Sequence, residues 1–170
     1  MHAALRQAAR ELGLSLNDYC ARKLAAPIGE AFAWREAAAA LERAAALFGE
    51  RLVGTAVFGS WARGEATQGS DVDVLVVVDE AVPLTRDLYE RWDEHPVVWG
   101  GRSVEPHFVH LPPASRRVAG LWAEVALDGL VLFERGFALS KRLIQVRHEI
   151  AAGRIVQRSA HGQPYWTEVA

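Results

Sequence analysis

The sequence predicts one α/β domain with additional segments at its two ends. Its 170 residues are 51% apolar and 24% charged, enough for one well-buried core. A strand, a short helix and a second strand follow one another over residues 52–78, and the second strand is a dense run of β-branched side chains. Further stretches with helical and strand periodicity follow along the chain, as in an α/β domain.

The N-terminal 50 residues predict helices only. Residues 3–12 repeat apolar side chains at helical spacing, and a second short helix follows, with Ser15 and Asp18 at the spacing of a capping box and Pro27 at its end. Residues 34–48 are rich in alanine with well-spaced charges, which favours a longer helix.

The central segment carries the predicted sheet. Residues 52–58 read as a strand, a turn leads into a short helix, and residues 71–78 read as a strand buried on both faces. Residues 85–95 have an apolar pair four apart, as in a surface crossover helix, and residues 102–111 read as a strand interrupted by Pro106.

The C-terminal segment predicts mostly helix. Residues 118–127 and 137–153 have helical patterns, and a short strand or turn separates them over residues 129–136. Residues 154–170 show no clear period, but Tyr165 and Trp166 gain from burial, so we expect this end to pack on the domain or on a partner.

Composition restricts the functional classes. The net charge of −2 gives no overall field that would attract nucleic acid or an anionic membrane, so any anion site is local. A single cysteine, Cys20, excludes an internal disulfide, and no apolar run approaches the roughly 20 residues needed to cross a bilayer. We therefore expect a cytoplasmic protein that does not bind membranes.

Two carboxylates begin the buried strand. Asp71 and Asp73 are two residues apart, so their side chains project to the same face of a strand, while Val72 and Val74 point to the opposite face. Their mutual repulsion is relieved by a divalent cation, and Mg²⁺ is usually held by one or two carboxylates together with water and phosphate oxygens. The pair therefore predicts a magnesium site.

A Gly-Ser pair precedes the carboxylates by ten residues. Gly59 allows a sharp turn close to a ligand, and Ser60 offers a hydroxyl group at the start of a helix, where free N–H groups attract phosphate. A lone Gly-Ser or Asp-x-Asp is most often structural, but the order of strand, Gly-Ser, helix, Asp-x-Asp and buried strand favours metal-assisted phosphoryl or nucleotidyl transfer.

The stretch FGSWARGEATQGSDVDVLV resembles the signature of the polymerase-beta-like nucleotidyltransferase superfamily, in particular the minimal nucleotidyltransferases. The matching residues are Gly59, Ser60, Ala62, Arg63, Gly64, Ser70, Asp71 and Asp73. This resemblance implies a mixed β-sheet flanked by helices, with NTP and Mg²⁺ held between the Gly-Ser turn and the acidic strand. Some members of that superfamily are antitoxins that transfer AMP from ATP to a tyrosine of a HEPN-type toxin, and others act on aminoglycosides, tRNA or proteins. For this chain we expect the first activity, with Mg²⁺.

Members of this superfamily carry a third carboxylate on a neighbouring strand, and the resemblance assigns it to Glu105 as a metal ligand or base. A water-facing edge glutamate is the alternative. We place Arg63 and Ser70 with Gly59 and Ser60 in the nucleotide site; Arg63 either contacts the triphosphate or pairs with an acid, and Ser70 either reaches ligand or caps its turn. His107 shares the face of Glu105 and is either a substrate contact or a surface residue.

We expect three parts in the chain. Residues 1–50 are predicted to form a helical extension, residues 51–112 the nucleotidyltransferase core, and residues 113–170 a helical segment and tail packed on that core.

The role of the N-terminal segment and the function of the protein each have alternatives. Residues 3–26 are similar to ribbon-helix-helix antitoxin segments but lack the preceding strand, so packing on the core or on a second copy is favoured over DNA binding. The alternatives to toxin modification are a non-catalytic antitoxin that masks its partner and a nucleotidyltransferase acting on an aminoglycoside-like molecule.

Overall fold

The computed structural model describes residues 2–11, 15–17, 19–20, 31–161 and 163–169. Its helices are α1 (His2–Glu11), α2 (Ala31–Phe48), α3 (Gly59–Arg63), α4 (Arg86–Asp93), α5 (Leu121–Asp128) and α6 (Ala138–Ala151). Its strands are β1 (Leu52–Phe58), β2 (Val72–Val78), β3 (Val98–Trp99), β4 (Arg102–His110), β5 (Leu130–Glu134), β6 (Ile155–Ala160) and β7 (Gln163–Glu168).

Within the described residues, β1 to β5 form a five-stranded mixed sheet in the order β3-β4-β2-β1-β5. Strand β1 is antiparallel to β2 and β5, whereas β2 and β4 are parallel and joined through α4. The predicted mixed sheet flanked by helices is confirmed. Because β5 pairs with β1, the sheet includes a strand from beyond residue 112.

Each face of the sheet is covered by helices. On the first face, α2 presents Ala37, Ala40 and Ala44, whose small side chains let the helix lie close to the valines of β2. Helix α4 adds Leu88 and Trp92, four residues apart as the sequence predicts. On the second face, α5 and α6 cover the side chains of β1 and β2 that point the other way. The β2 strand is therefore buried on both faces, as predicted.

The predicted interruption of β4 at Pro106 is wrong. Pro106 lies inside a continuous strand and is in register with Val74 of β2. The amide of Val104 bonds to the carbonyl of Val97 on the outer side of β4, so the proline nitrogen two residues later faces the same side. Strand β3 is only two residues long and pairs with Arg102 and Ser103 of β4, not with Pro106. The N–H group that proline lacks is therefore not needed for pairing with β3.

The C-terminal extension is not wholly helical. Strands β6 and β7 form a separate two-stranded antiparallel sheet, which the sequence did not predict. Ile155 is buried and Trp166 packs against the second face of the core, while Tyr165 stays exposed. The end of the chain thus packs on the domain through one of the two predicted aromatic residues.

The N-terminal helices are described in part. Helix α1 has the predicted position, and Ala9 and Tyr19 are buried. The predicted capping partner Asp18 and the predicted helix end at Pro27 lie outside the described residues. Across the described ranges, no helix combines the length and the apolar character needed to span a bilayer.

The buried face of α6 gives a first prediction. Leu139 is 0% exposed and lies against the backbone of Gly54 in β1, whereas Ile144 on the same helix is 48% exposed. Leu139→Ala is expected to lower the free energy of unfolding by about 2–5 kcal/mol, because it leaves a cavity. Ile144→Ala is expected to change it by less than about 0.5 kcal/mol. Equal losses in urea unfolding would contradict the described orientation of α6.

Candidate active site

The Gly-Ser turn joins β1 to α3. Gly59 is buried and has a φ of 75°, in the left-handed region that favours glycine. Phe58 precedes the helix without capping it through a side chain, and Gly64 ends it at a φ of 74°. Phe58 therefore supplies no side-chain cap to the first N–H groups of α3.

Gly59 lies directly against Asp73. Phe58 and Asp73 are partners across the β1–β2 pair, which brings the turn beside the start of the acidic strand. A Cβ atom on Gly59 would overlap Oδ2 of Asp73 and lie 3.2 Å from its Cγ. The glycine and the aspartate of the predicted site are thus in contact, and the glycine is needed for the carboxylate to occupy this position.

The two aspartates lie at the open end of β2. Asp71 is exposed just before the strand, and the Asp73 side chain is 33% exposed within it. Val72 and Val74 point into the first face of the core, so Asp71 and Asp73 share the opposite side, as predicted. Both carboxylates are accessible from solvent, and that of Asp73 lies beside Gly59.

The loop before Asp71 is fixed by hydrogen bonds. The Ser70 hydroxyl accepts from the Thr67 amide at 2.9 Å, so Ser70 does cap its turn. Arg102, at the start of β4, donates to the carbonyl oxygens of Thr67 and Ser70. Sequence reasoning missed Arg102, because only the parallel register of β2 and β4 brings it to this loop.

Glu105 lies beside the aspartate pair on the neighbouring strand. It is the register partner of Asp73 in the parallel β2–β4 pair, and it is exposed. Among the residues that the structure describes, no group of three or more histidine, cysteine or acidic side chains is arranged as a metal cluster. Strand register thus places Glu105 next to the pair, and its role as a third carboxylate stays a prediction.

His107 contacts the site directly. Its Nε2 lies 3.0 Å from Oδ1 of Asp73, and its ring meets the Phe58 ring edge-on with centroids 5.1 Å apart. Since an ionised carboxylate only accepts hydrogen bonds, Nε2 is the donor. His107 thus contacts an aspartate of the predicted site, and its contact with substrate stays a prediction.

Arg63 points to acidic side chains. Its Nε donates to Glu65 at 2.7 Å, and a terminal nitrogen lies 3.7 Å from Asp128 of α5. Burial lowers the pKa of Arg63, but the hydrogen bond to Glu65 and the charges of Glu65, Asp128 and Glu124 outweigh this effect and raise it overall. Of the two roles considered for Arg63, the structure shows the ion pair.

The donor atoms fit a hard divalent cation. Asp71 and Asp73 supply carboxylate oxygens at a solvent-accessible edge, and Glu105 is the next residue across the sheet. Oxygen ligands of this kind suit Mg²⁺, which retains several waters and takes further oxygens from phosphate.

A separate cavity of about 670 Å³ lies at the other end of β2 and β4, between Glu80, His110 and Trp122. Its lining does not include Asp71, Asp73 or Glu105.

Two of the solved structures that this chain resembles are distant likenesses. A toxin-antitoxin crystallised with AMP-PNP is 15% identical, with a TM-score of 0.42, covering 67% of this chain and 86% of that one. A mutant toxin-antitoxin MntA-HpeT is 14% identical, with a TM-score of 0.41, covering 67% and 89%. At these scores neither likeness supports a functional conclusion.

Comparison with family models gives a more specific result than the solved structures do, although no curated protein matches the chain. The profile of the nucleotidyltransferase domain family matches residues 40–123, which include the Gly-Ser turn, both aspartates and Glu105. The predicted relationship to nucleotidyltransferases is confirmed over residues 40–123, the part of the chain that this family model matches.

Proposed function

We propose that the protein transfers a nucleoside monophosphate, AMP from ATP, to a hydroxyl acceptor in the presence of Mg²⁺. The contact between Gly59 and Asp73 is the observation that carries this proposal, because it brings the phosphate-binding turn and the acidic strand to one place. The family match over residues 40–123 supports the same reaction class.

Each residue has a proposed role. Gly59 and Ser60 hold the triphosphate at the start of α3, and Ser70 and Arg102 fix the loop that leads to Asp71. Asp71 and Asp73 would hold the metal ion. When bound, Mg²⁺ would neutralise the negative charge that grows on the leaving pyrophosphate.

The reaction is an in-line displacement at phosphorus. The acceptor oxygen forms a bond to the α-phosphorus while the bond from that phosphorus to the bridging oxygen breaks, releasing pyrophosphate. Glu105 is accessible beside Asp73 and is proposed to take the acceptor proton. Arg63 is already paired with Glu65 and Asp128, so we assign it the structural role of joining α3 to α5.

We propose a tyrosine of a partner protein as the acceptor. The support is the resemblance of the Gly59–Asp73 segment to minimal nucleotidyltransferases, some of which modify HEPN-type toxins. Both aspartates lie at an exposed edge, where a side chain of another protein has access. A small all-helical HEPN-type protein encoded beside this chain would be the first candidate partner.

Label transfer tests the proposal. The chain, the purified candidate partner and Mg²⁺ are incubated in parallel with ATP labelled on the α-phosphate or on the γ-phosphate. We expect label on the partner only from α-labelled ATP, and loss of labelling when the acceptor tyrosine becomes phenylalanine. Label from γ-labelled ATP would indicate a kinase and would overturn the proposal.

A non-catalytic partner-binding protein is the second candidate. Glu105 is exposed, as a water-facing edge glutamate is, and without a third carboxylate only partner binding would remain. In that case the chain would mask its partner by binding alone, and substitution of Asp73 would leave the masking intact.

A further inference from the structure

We propose that His107 is a positioning residue that fixes the carboxylate of Asp73 for metal binding. This inference rests on the proposed function and deepens it, because it assigns a role to a side chain outside the Gly-Ser and Asp-x-Asp motif.

Both oxygens of Asp73 are constrained. Oδ1 accepts a hydrogen bond from His107 Nε2 at 3.0 Å, and Oδ2 lies against Gly59 so closely that a Cβ atom would not fit between them. Gly59 blocks one side of the carboxylate, and His107 holds the other. Each oxygen has a second lone pair, so a carboxylate held in this way can still bind a cation.

The imidazole ring of His107 is itself held in place. His107 lies on β4 in register with Leu75, two residues after Glu105 and on the same face of the sheet. The Phe58 ring from β1 meets it edge-on at 5.1 Å. Side chains from three adjacent strands, β1, β2 and β4, therefore form the contact series Phe58, His107 and Asp73.

His107 is better explained by this hydrogen bond than by packing. The His107 side chain is 41% exposed, so it fills little of the core. Its Nε2 atom contacts the Asp73 carboxylate. Groups that orient a metal-binding side chain change metal affinity or activity by about 10- to 100-fold when they are removed. We expect a loss of this size for His107→Leu.

Two amide variants separate hydrogen bonding from packing. The side-chain amide nitrogen of glutamine reaches the position of the histidine Nε2. The amide nitrogen of asparagine corresponds to Nδ1, and the asparagine side chain is too short to reach Asp73. His107→Gln is therefore expected to keep Mn²⁺ affinity within a few-fold of wild type, and His107→Asn to lose it as His107→Leu does. His110→Gln is the matched control, because His110 is on the same strand but bonds to the carbonyl of Val82.

The test is calorimetric titration of MnCl₂ into each full-length variant with ATP present, against an ATP-only blank. Thermal unfolding without ligands establishes that each variant is folded. The expected result is a loss of about 10- to 100-fold in Mn²⁺ affinity for His107→Leu and His107→Asn. The affinities of His107→Gln and His110→Gln are expected to stay near that of wild type. Equal affinities in all variants would overturn the role of His107 alone. A wild-type protein without Mn²⁺ binding would overturn the proposed function as well.

Discussion

Gly59→Ala is expected to weaken Mg²⁺-dependent ATP binding by at least about 10-fold while leaving a folded protein. A methyl group at this position would overlap Oδ2 of Asp73, so either the carboxylate or the turn must move. The φ of 75° adds strain for any L-residue, on the order of 1–2 kcal/mol. Displacement of Asp73 removes a proposed metal ligand, and the loss in ATP affinity is expected to be at least about 10-fold.

Gly64→Ala is the matched control. Gly64 ends the same helix with a φ of 74°, but a Cβ atom there meets no other atom within 4 Å. It should therefore suffer the same backbone strain without disturbing Asp73. Calorimetric titration of ATP with Mg²⁺ into both variants isolates the contact with Asp73. Equal loss of ATP binding in the two variants would show that backbone strain, not the contact, explains the effect.

Asp73→Asn is expected to abolish nucleotidyl transfer without weakening partner binding. The substitution removes the negative charge but nearly preserves the shape of the side chain, so the fold should be unaffected. Loss of one electrostatic stabiliser of a transition state lowers kcat by about 100- to 1,000-fold, and a loss of at least this size is expected. The measurement is transfer of label from α-labelled ATP to the partner, with partner affinity measured in parallel.

Asp79→Asn controls for the general effect of removing a carboxylate from β2. Asp79 follows the other end of the strand, where its side chain accepts a hydrogen bond from the Ala81 amide at 2.9 Å. It is expected to retain wild-type transfer. If Asp73→Asn transfers label as well as wild type, the aspartate has no catalytic role. If no variant transfers label but all neutralise the partner, the non-catalytic function is correct.

Local sequence was sufficient for the central elements. The strand over residues 52–58, the short helix after it and the buried β2 strand are confirmed because each depends on local periodicity and turn residues. The crossover helix was predicted from Leu88 and Trp92, and both are buried. The contact of Gly59 with Asp73 extends what the motif implied, since spacing alone does not give the β1–β2 register.

Tertiary features could not be read from local patterns. Pro106 was expected to interrupt β4, but its effect depends on the short neighbour β3, a two-residue strand too brief to give a periodic signal. Arg102 and His107 reach the site only through the parallel register of β2 and β4. The sheet of β6 and β7 was missed because its strands are mostly exposed and carry no clear apolar alternation.

Thermal unfolding with and without ATP and Mg²⁺ tests the central claim most directly, namely that the Gly-Ser turn and the acidic strand form one nucleotide-metal site. Wild type is compared with the Asp71→Asn/Asp73→Asn double variant. At about 100 times its dissociation constant, the ligand should stabilise wild type by roughly 2.7 kcal/mol, only when Mg²⁺ is present, and should leave the double variant unchanged. Equal stabilisation of both proteins, or of neither, would contradict the account.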